Sequence, residues 1–226
     1  MKLHILVEGQ TEEMFVNEIL RPFFYDYEIN VIPIIISTKR LRDGTKFKGG
    51  LSSRNYSSFE SDLRKLIHST PDGLVTTLID YYALPSNFPK YDDRVKLKTQ
   101  LEKVQFLETE LWKDMGSRKN FKPYIQLHEF EAMMFSSKAG FQANIEATNP
   151  ALGNLCAIVD AYPNPEDINE GSTTAPSKRI LSHYRSYDKV VEGNLMITDI
   201  GIGVIKAKCP HFSEWIDFII EYSETH

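Results

Sequence analysis

Cysteine is nearly absent from this chain. Cys156 and Cys209 are the only two among 226 residues, too few for a disulfide framework. Long hydrophobic runs are missing too: no window approaches the roughly 18 apolar residues that a membrane helix needs. The apolar start at residues 3–7 is interrupted by Glu8 too soon for a secretory signal, so the expected compartment is the cytoplasm. Basic excess is a third absence. Lys and Arg number 26 against 31 Asp and Glu, a net charge of -5, so no global positive field recruits nucleic acid and any such binding must be local. No Gly-x-x-x-x-Gly-Lys-Ser/Thr loop occurs, which argues against ATP hydrolysis by this chain. Cys209 and His211 lie close together, but Cys156 is remote and no zinc spacing is met. There is no internal repeat.

What remains is material for a sizeable core, with 42% hydrophobic and 12% aromatic residues. Its organising stretch is the first one. The apolar run at residues 3–7 ends in Glu8, Gly9 follows, and a helical pattern from Thr11 carries Glu12 and Glu13 in its first turn. This reads as strand, tight turn and helix, with Pro22 limiting the helix. Residues 29–36 are nearly all apolar, as in a strand covered on both faces, and Pro33 suggests an edge or a bulge. Residues 38–54 are glycine-rich and carry Lys39, Arg40, Arg42, Lys46, Lys48 and Arg54 against the single Asp43, a local balance of +5. That composition predicts a mobile cationic loop.

A helix is expected over residues 56–68 and a third strand over residues 74–79, ending at Asp80. A long charge-laced helix over 95–112 precedes a short fourth strand at 124–127, which runs into His128-Glu129-Phe130-Glu131. Four strands interleaved with helices predict an α/β fold with a mostly parallel sheet. Beyond Phe141 the punctuation by Asn149-Pro150, Pro163-Asn164-Pro165 and residues 171–176 gives way to helical patterns. One helix is expected from a Ser177 cap, another near residues 201–208, and a final amphipathic one after Pro210. The expected organisation is a core over 1–140 and a helical extension over 141–226 packed on it.

Glu8, Asp80 and the His128/Glu129/Glu131 group all stand where an apolar run stops. In a parallel sheet those ends share one edge, where ligands of open α/β sheets bind. Carboxylates brought together repel unless a cation sits among them, and Mg²⁺ or Mn²⁺ prefers oxygen ligands. The competing reading is plain: polar residues end strands because loops are solvated, and acids suit a helix start. His128 and Glu131 share a face if a helix begins there, Glu129 and Glu131 if the strand continues. Lys39, Arg40, Arg42, Lys46, Lys48 and Arg54 are the candidates for phosphate contact, with Phe47 and Tyr56 as stacking surfaces.

Val7-Glu8-Gly9-Gln10-Thr11-Glu12, Leu78-Ile79-Asp80-Tyr81-Tyr82 and His128-Glu129-Phe130-Glu131 resemble motifs of the Toprim-like superfamily. With Pro176-Ser177-Lys178-Arg179-Ile180 and Cys209-Pro210-His211-Phe212, the chain is similar to a bacterial family of Toprim-domain proteins associated with antiphage defence ATPases of the overcoming-lysogenization-defect type. The resemblance implies a compact α/β domain that binds Mg²⁺ or Mn²⁺ and cleaves or rejoins phosphodiester bonds of DNA or RNA, with an ABC/AAA-type ATPase as partner. It makes Glu8 the first-strand glutamate, general acid or base as well as metal ligand. Asp80 becomes the first aspartate of an Asp-x-Asp motif. Tyr82 stands where the second belongs, so Glu12, Glu129 or Glu131 would have to supply the missing ligand. Lys178 would neutralise a phosphate or stabilise the leaving oxygen, and Arg179 falls in the same motif. The departure at Tyr82 equally suits a non-catalytic binding or regulatory subunit. A phosphotransferase acting on a small molecule is a third expectation, without a substrate pocket to support it.

Overall fold

The computed structural model describes residues 1–40, 46–48, 51, 56–168 and 174–225, the side chains of 37–40 and 46–48 excepted. Two compact units emerge, Met1–Gln126 together with Phe218–His226, and Leu127–Asp217.

In the first unit β1 (Lys2–Val7) leads into α1 (Gln10–Phe15), a π-helical stretch at Val16–Leu20 and α2 (Arg21–Tyr25). Pro22 stands in the first turn of α2, and the wider π turn before it absorbs the donor that proline lacks. Next come β2 (Asn30–Ile35), β3 (Ser37–Arg40), β4 (Lys46–Lys48), α3 (Tyr56–Ser69) and β5 (Gly73–Asp80). After β5 come α4 (Gln100–Asp114), β6 (Phe121–Lys122) and β7 (Ile125–Gln126). The sheet runs β2-β1-β5-β6, with β7 also pairing β5, and every pair in it is parallel. β2 is an edge strand, which is where Pro33 costs no ladder bond on its outer side. All eight residues of β5 are buried, as in a central strand covered on both faces.

Three sequence expectations change. The basic stretch contains an antiparallel ribbon, with Lys39 opposite Phe47 and Arg40 opposite Lys46. Backbone groups pair there whatever the side-chain charge, which a reading by composition passes over. Arg42 and Arg54 lie outside the described residues. The helix expected from residue 95 is a 3-10 stretch, Tyr91–Lys96, followed by α4. A capping box explains the break: the Glu102 N–H donates to Thr99 Oγ1 at 3.1 Å and the Thr99 N–H to Glu102 Oε2 at 2.9 Å. The fourth strand is split in two. Pro123 has no N–H, and the backbone of Tyr124 bonds to a side chain instead. Thr77 Oγ1 donates to the Tyr124 carbonyl at 2.8 Å and accepts its N–H at 2.9 Å. Glu108 of α4 then accepts the Ile125 N–H at 2.8 Å. Gly73 is required at the start of β5, since a Cβ there would fall 2.6 Å from the Lys2 carbonyl oxygen.

The second unit opens with a fully buried 3-10 stretch, Phe130–Ser136, and continues with α5 (Lys138–Asn144), α6 (Pro150–Ala161), α7 (Pro176–His183), α8 (Val191–Ile200) and α9 (Ile202–Lys208). α10 (Pro210–Thr225) supplies its last residues to the first unit. Asn149-Pro150, read as punctuation, starts α6. The Asn149 side chain accepts the Ala151 N–H at 3.0 Å and the proline occupies the first turn. Ser177 is not a cap; Ala175 holds that position, and the Ser177 N–H donates to a Glu129 carboxylate oxygen at 3.0 Å. Among the described residues no helix is long and apolar enough to cross a membrane.

Replacing Thr77 with Val keeps the shape but removes both hydrogen bonds from its hydroxyl to the buried Tyr124 backbone. We expect a loss of about 1–3 kcal/mol or more in urea unfolding, whereas Thr77→Ser, which retains both bonds, loses much less.

Candidate functional site

The chain leaves β1 for β2 on one side, while β5 lies on the other side of β1. Strand order therefore reverses between β1 and β5, and the crevice outside their carboxyl ends is where open α/β sheets bind ligands. Val7 is opposite Leu78, so Glu8, just past β1, falls level with Ile79, one residue short of Asp80 at the end of β5. The Asp80 N–H donates to Glu8 Oε1 at 2.8 Å, which sets the Glu8 carboxylate against the backbone of Asp80. Both residues are only 8% exposed.

Glu12 joins this end of the sheet from the first turn of α1 and is 4% exposed. A Cβ on Gly9 would lie 3.5 Å from Glu12 Oε2. That is ordinary van der Waals contact, so the Glu12 carboxylate folds back over the turn without requiring the glycine. Its φ of -158° is extended backbone, so the expected tight turn needs no left-handed residue.

Two further residues at this edge went unremarked in the sequence. Gln126 is paired with Asp80 across β5 and β7, is fully buried, and accepts the Tyr124 hydroxyl at 2.7 Å. Arg94 donates from Nε to the hydroxyl of Tyr81, the residue after Asp80, at 3.2 Å, and its guanidinium lies 3.3 Å from the centre of the Tyr91 ring. Burial raises the Tyr81 phenol, and the Arg94 hydrogen bond opposes that rise. No local signal picks out Arg94, because it sits in a charge-rich segment and meets Tyr81 only through the 3-10 stretch. Tyr82, in place of a second aspartate, packs against Tyr81 with ring centres 5.8 Å apart.

Of the remaining candidates, His128, Glu129, Glu131, Lys178 and Arg179 belong to the second unit, where all but Lys178 have a partner described below. His128 has a φ of +65° and Glu129 is extended, the 3-10 stretch beginning only at Phe130. Neither a continuing strand nor a helix from residue 128 describes this segment. His128 is fully buried, and its Nε2 lies 2.7 Å from the Glu166 carbonyl. A carbonyl only accepts, so Nε2 carries the proton, and burial holds the imidazole below its usual 6.5. Glu129 caps the Ser177 N–H of α7. Glu131 is 1% exposed, and its Oε2 lies 3.4 Å from Lys189 Nζ. Burial pushes its carboxyl up, against the pull of Lys189. Lys178 is exposed on α7. Arg179 donates from Nε to the Thr174 carbonyl at 2.7 Å and from its terminal nitrogen to the Tyr162 hydroxyl at 3.1 Å. Of the basic stretch, Lys39, Arg40, Lys46 and Lys48 stand on β3 and β4.

A family model matches residues 7–220, a span that begins one residue before Glu8. The chain belongs to the family described as Domain of unknown function (DUF4276). The DUF4276 match takes in Glu8, Glu12, Asp80, Arg94 and Gln126 of the first unit, and His128, Glu129, Glu131 and Lys178 of the second. No curated protein and no solved structure matches the chain.

The donor set at the strand ends is all oxygen. Among the described residues no group of three or more His, Cys, Asp or Glu side chains is placed to hold a metal. Mg²⁺, however, is commonly held by one or two carboxylates with water and substrate phosphate completing the shell, and Glu8 and Asp80 fit that requirement.

Two outcomes follow. Glu8→Ala leaves the Asp80 N–H without its acceptor and costs about 1–3 kcal/mol in chemical unfolding, while Glu8→Gln retains the acceptor and stays close to wild type. Glu131, raised above its ordinary 4.5, contributes stability that is fully present below that value and lost as pH rises through the folded one. Glu131→Gln therefore gains on wild type as pH is increased across this window, measured by thermal unfolding.

Proposed function

We propose that this protein is a Mg²⁺- or Mn²⁺-dependent phosphodiester nuclease acting on nucleic acid, with Glu8 and Asp80 at its centre. The observation that carries the reading is the hydrogen bond from Asp80 to the Glu8 carboxylate at the point where strand order reverses. When bound, a divalent ion would polarise the scissile phosphate and make a water molecule more acidic. Glu8 and Asp80 would hold that ion. The bond holds the Glu8 carboxylate against the Asp80 backbone, so that donor would be positioned before an ion arrives. Glu12 would add a third carboxylate from the start of α1. Arg94, tied to Tyr81, would bring positive charge to the phosphate from the flank of β5, the role first expected of Lys178. The ribbon carrying Lys39, Arg40, Lys46 and Lys48 would contact flanking phosphates.

The motif resemblance further supports an ABC/AAA-type ATPase partner and a role in antiphage defence, and the low cysteine content a cytoplasmic location, all as parts of this proposal. Tyr82 favours a second reading, a non-catalytic Toprim-like binding or regulatory subunit that has given up one ligand.

Calorimetry with Mn²⁺ separates the two. Under the first reading wild type binds Mn²⁺, Glu8→Gln and Asp80→Asn weaken binding by about tenfold or more, and the same variants abolish Mn²⁺-dependent cleavage of plasmid, single-stranded DNA or RNA. Mn²⁺ binding that both substitutions leave unchanged overturns it. Binding that they do weaken, with no cleavage by wild type alone or with its ATPase partner, favours the second.

A further inference from the structure

A groove of about 1020 Å³ opens in the first unit between the end of α3, the end of α4 and the last turns of α10. It is lined by Arg64, Lys65, His68, Arg118, Lys119 and Tyr222 among others, and no Asp or Glu is among its lining residues. In a chain of net charge -5 this is a local excess of positive charge, with Glu60, Asp62 and Asp114 at its margin pairing with Arg64 and Lys65. The groove faces the amino ends of β5 and β6, opposite Glu8 and Asp80. Eight residues of β5 put about 26 Å between the two edges, at about 3.3 Å per residue.

The walls are tied in place. Asn120 donates from its side chain to the carbonyls of Ile67 and Thr70 at 3.0 and 2.8 Å, fastening the end of α3 to the start of β6. The turn after α4 is closed by the Ser117 N–H on the Trp112 carbonyl at 2.9 Å, and the Trp112 indole holds the Arg118 carbonyl at 3.0 Å. Arg64 is already engaged, by Glu60 at 2.9 Å and by the Asp114 carbonyl at 2.6 Å. Lys65 stands at the 3.9 Å limit of an ion pair with Asp62. Arg118 and Lys119 are exposed and make no ion pair among the described residues.

Cations at helix carboxyl ends have a simpler use, since each such end carries about half a negative charge. The ends of α3, α4 and α10 together therefore account for about one and a half positive charges. The groove has four Lys and Arg side chains, plus His68, and the surplus is concentrated in Arg118 and Lys119.

We propose that this groove binds the backbone of a single-stranded nucleic acid, Arg118 and Lys119 contacting consecutive phosphates and the Tyr222 ring receiving an unpaired base. Tyr222 is held against Phe218, with ring centres 6.1 Å apart and planes inclined at 29°, so it is already ordered. A duplex offers no unstacked base to such a ring. The inference does not rest on the nuclease reading, because phosphate contact at this edge needs no metal.

The test is fluorescence anisotropy of a labelled oligothymidylate of about 12 nucleotides in EDTA. Wild type is expected to bind in a salt-dependent manner. Arg118→Glu with Lys119→Glu should weaken binding by about tenfold or more and lower the salt slope by about 1.4, from two lost phosphate contacts. The neutral double variant, Arg118→Gln with Lys119→Gln, should show a smaller loss in the same direction, and both should keep the wild-type thermal midpoint. Tyr222→Phe should bind as wild type does, and Tyr222→Ala more weakly. Unchanged binding by the charge-reversed variant overturns the proposal, as does a duplex of equal length binding equally well. Oligothymidylate binding in EDTA without Mn²⁺-dependent cleavage upholds the groove and overturns the nuclease; cleavage that survives charge reversal, without weakened binding, does the opposite.

Discussion

The parallel register of β1 against β5 brings Val7 opposite Leu78, and what is chemically suggestive in the first unit follows from it. One residue beyond the pairing, the Glu8 carboxylate accepts the Asp80 N–H, two acids separated by 72 positions in the chain. The close approach that permits this register is visible at the other end of the same strands, where Gly73 leaves no space for a side chain against Lys2. A shift of one residue would turn one strand over relative to the other and send its side chains to the wrong face.

Carboxylates recur at backbone breaks through this protein, most of them buried and Glu129 half-buried. Glu108 accepts the Ile125 N–H, Glu129 that of Ser177, and Glu166 those of His211 and Phe212 at the start of α10. Each meets a donor that secondary structure leaves over, at a helix start or at the break between β6 and β7. Glu8 does the same for Asp80. What distinguishes it is its place, at the reversal of strand order with Glu12 and Asp80 also buried beside the sheet edge.

Much of the α/β core was legible because hydrophobic period and length carry it. Residues 3–7 and 74–79 are apolar runs of strand length bounded by polar or glycine residues, and α3 shows a helical stripe of Phe59, Leu63 and Ile67. The misreadings came where a side chain replaces a backbone partner. The split of the fourth strand depends on Thr77, which is distant in sequence from Tyr124. The break before α4 depends on Thr99 and Glu102, a local signal that was present but overridden by the charge pattern around it. His128 to Glu131 misled because a left-handed residue, an extended residue and a 3-10 turn follow one another, a succession that neither the helical nor the strand period describes.

By itself the sequence determined that the chain folds around a parallel sheet, that Glu8 and Asp80 end their strands, and that the later residues form helices. Those properties follow from which side chains are apolar and how often they recur. Only the tertiary structure decided that β1 lies between β2 and β5, that Arg94 and Gln126 share the edge with Asp80, and that Arg118 and Lys119 face a groove without acids. Such arrangements depend on strand order and on loop paths, which leave no period in the chain to read.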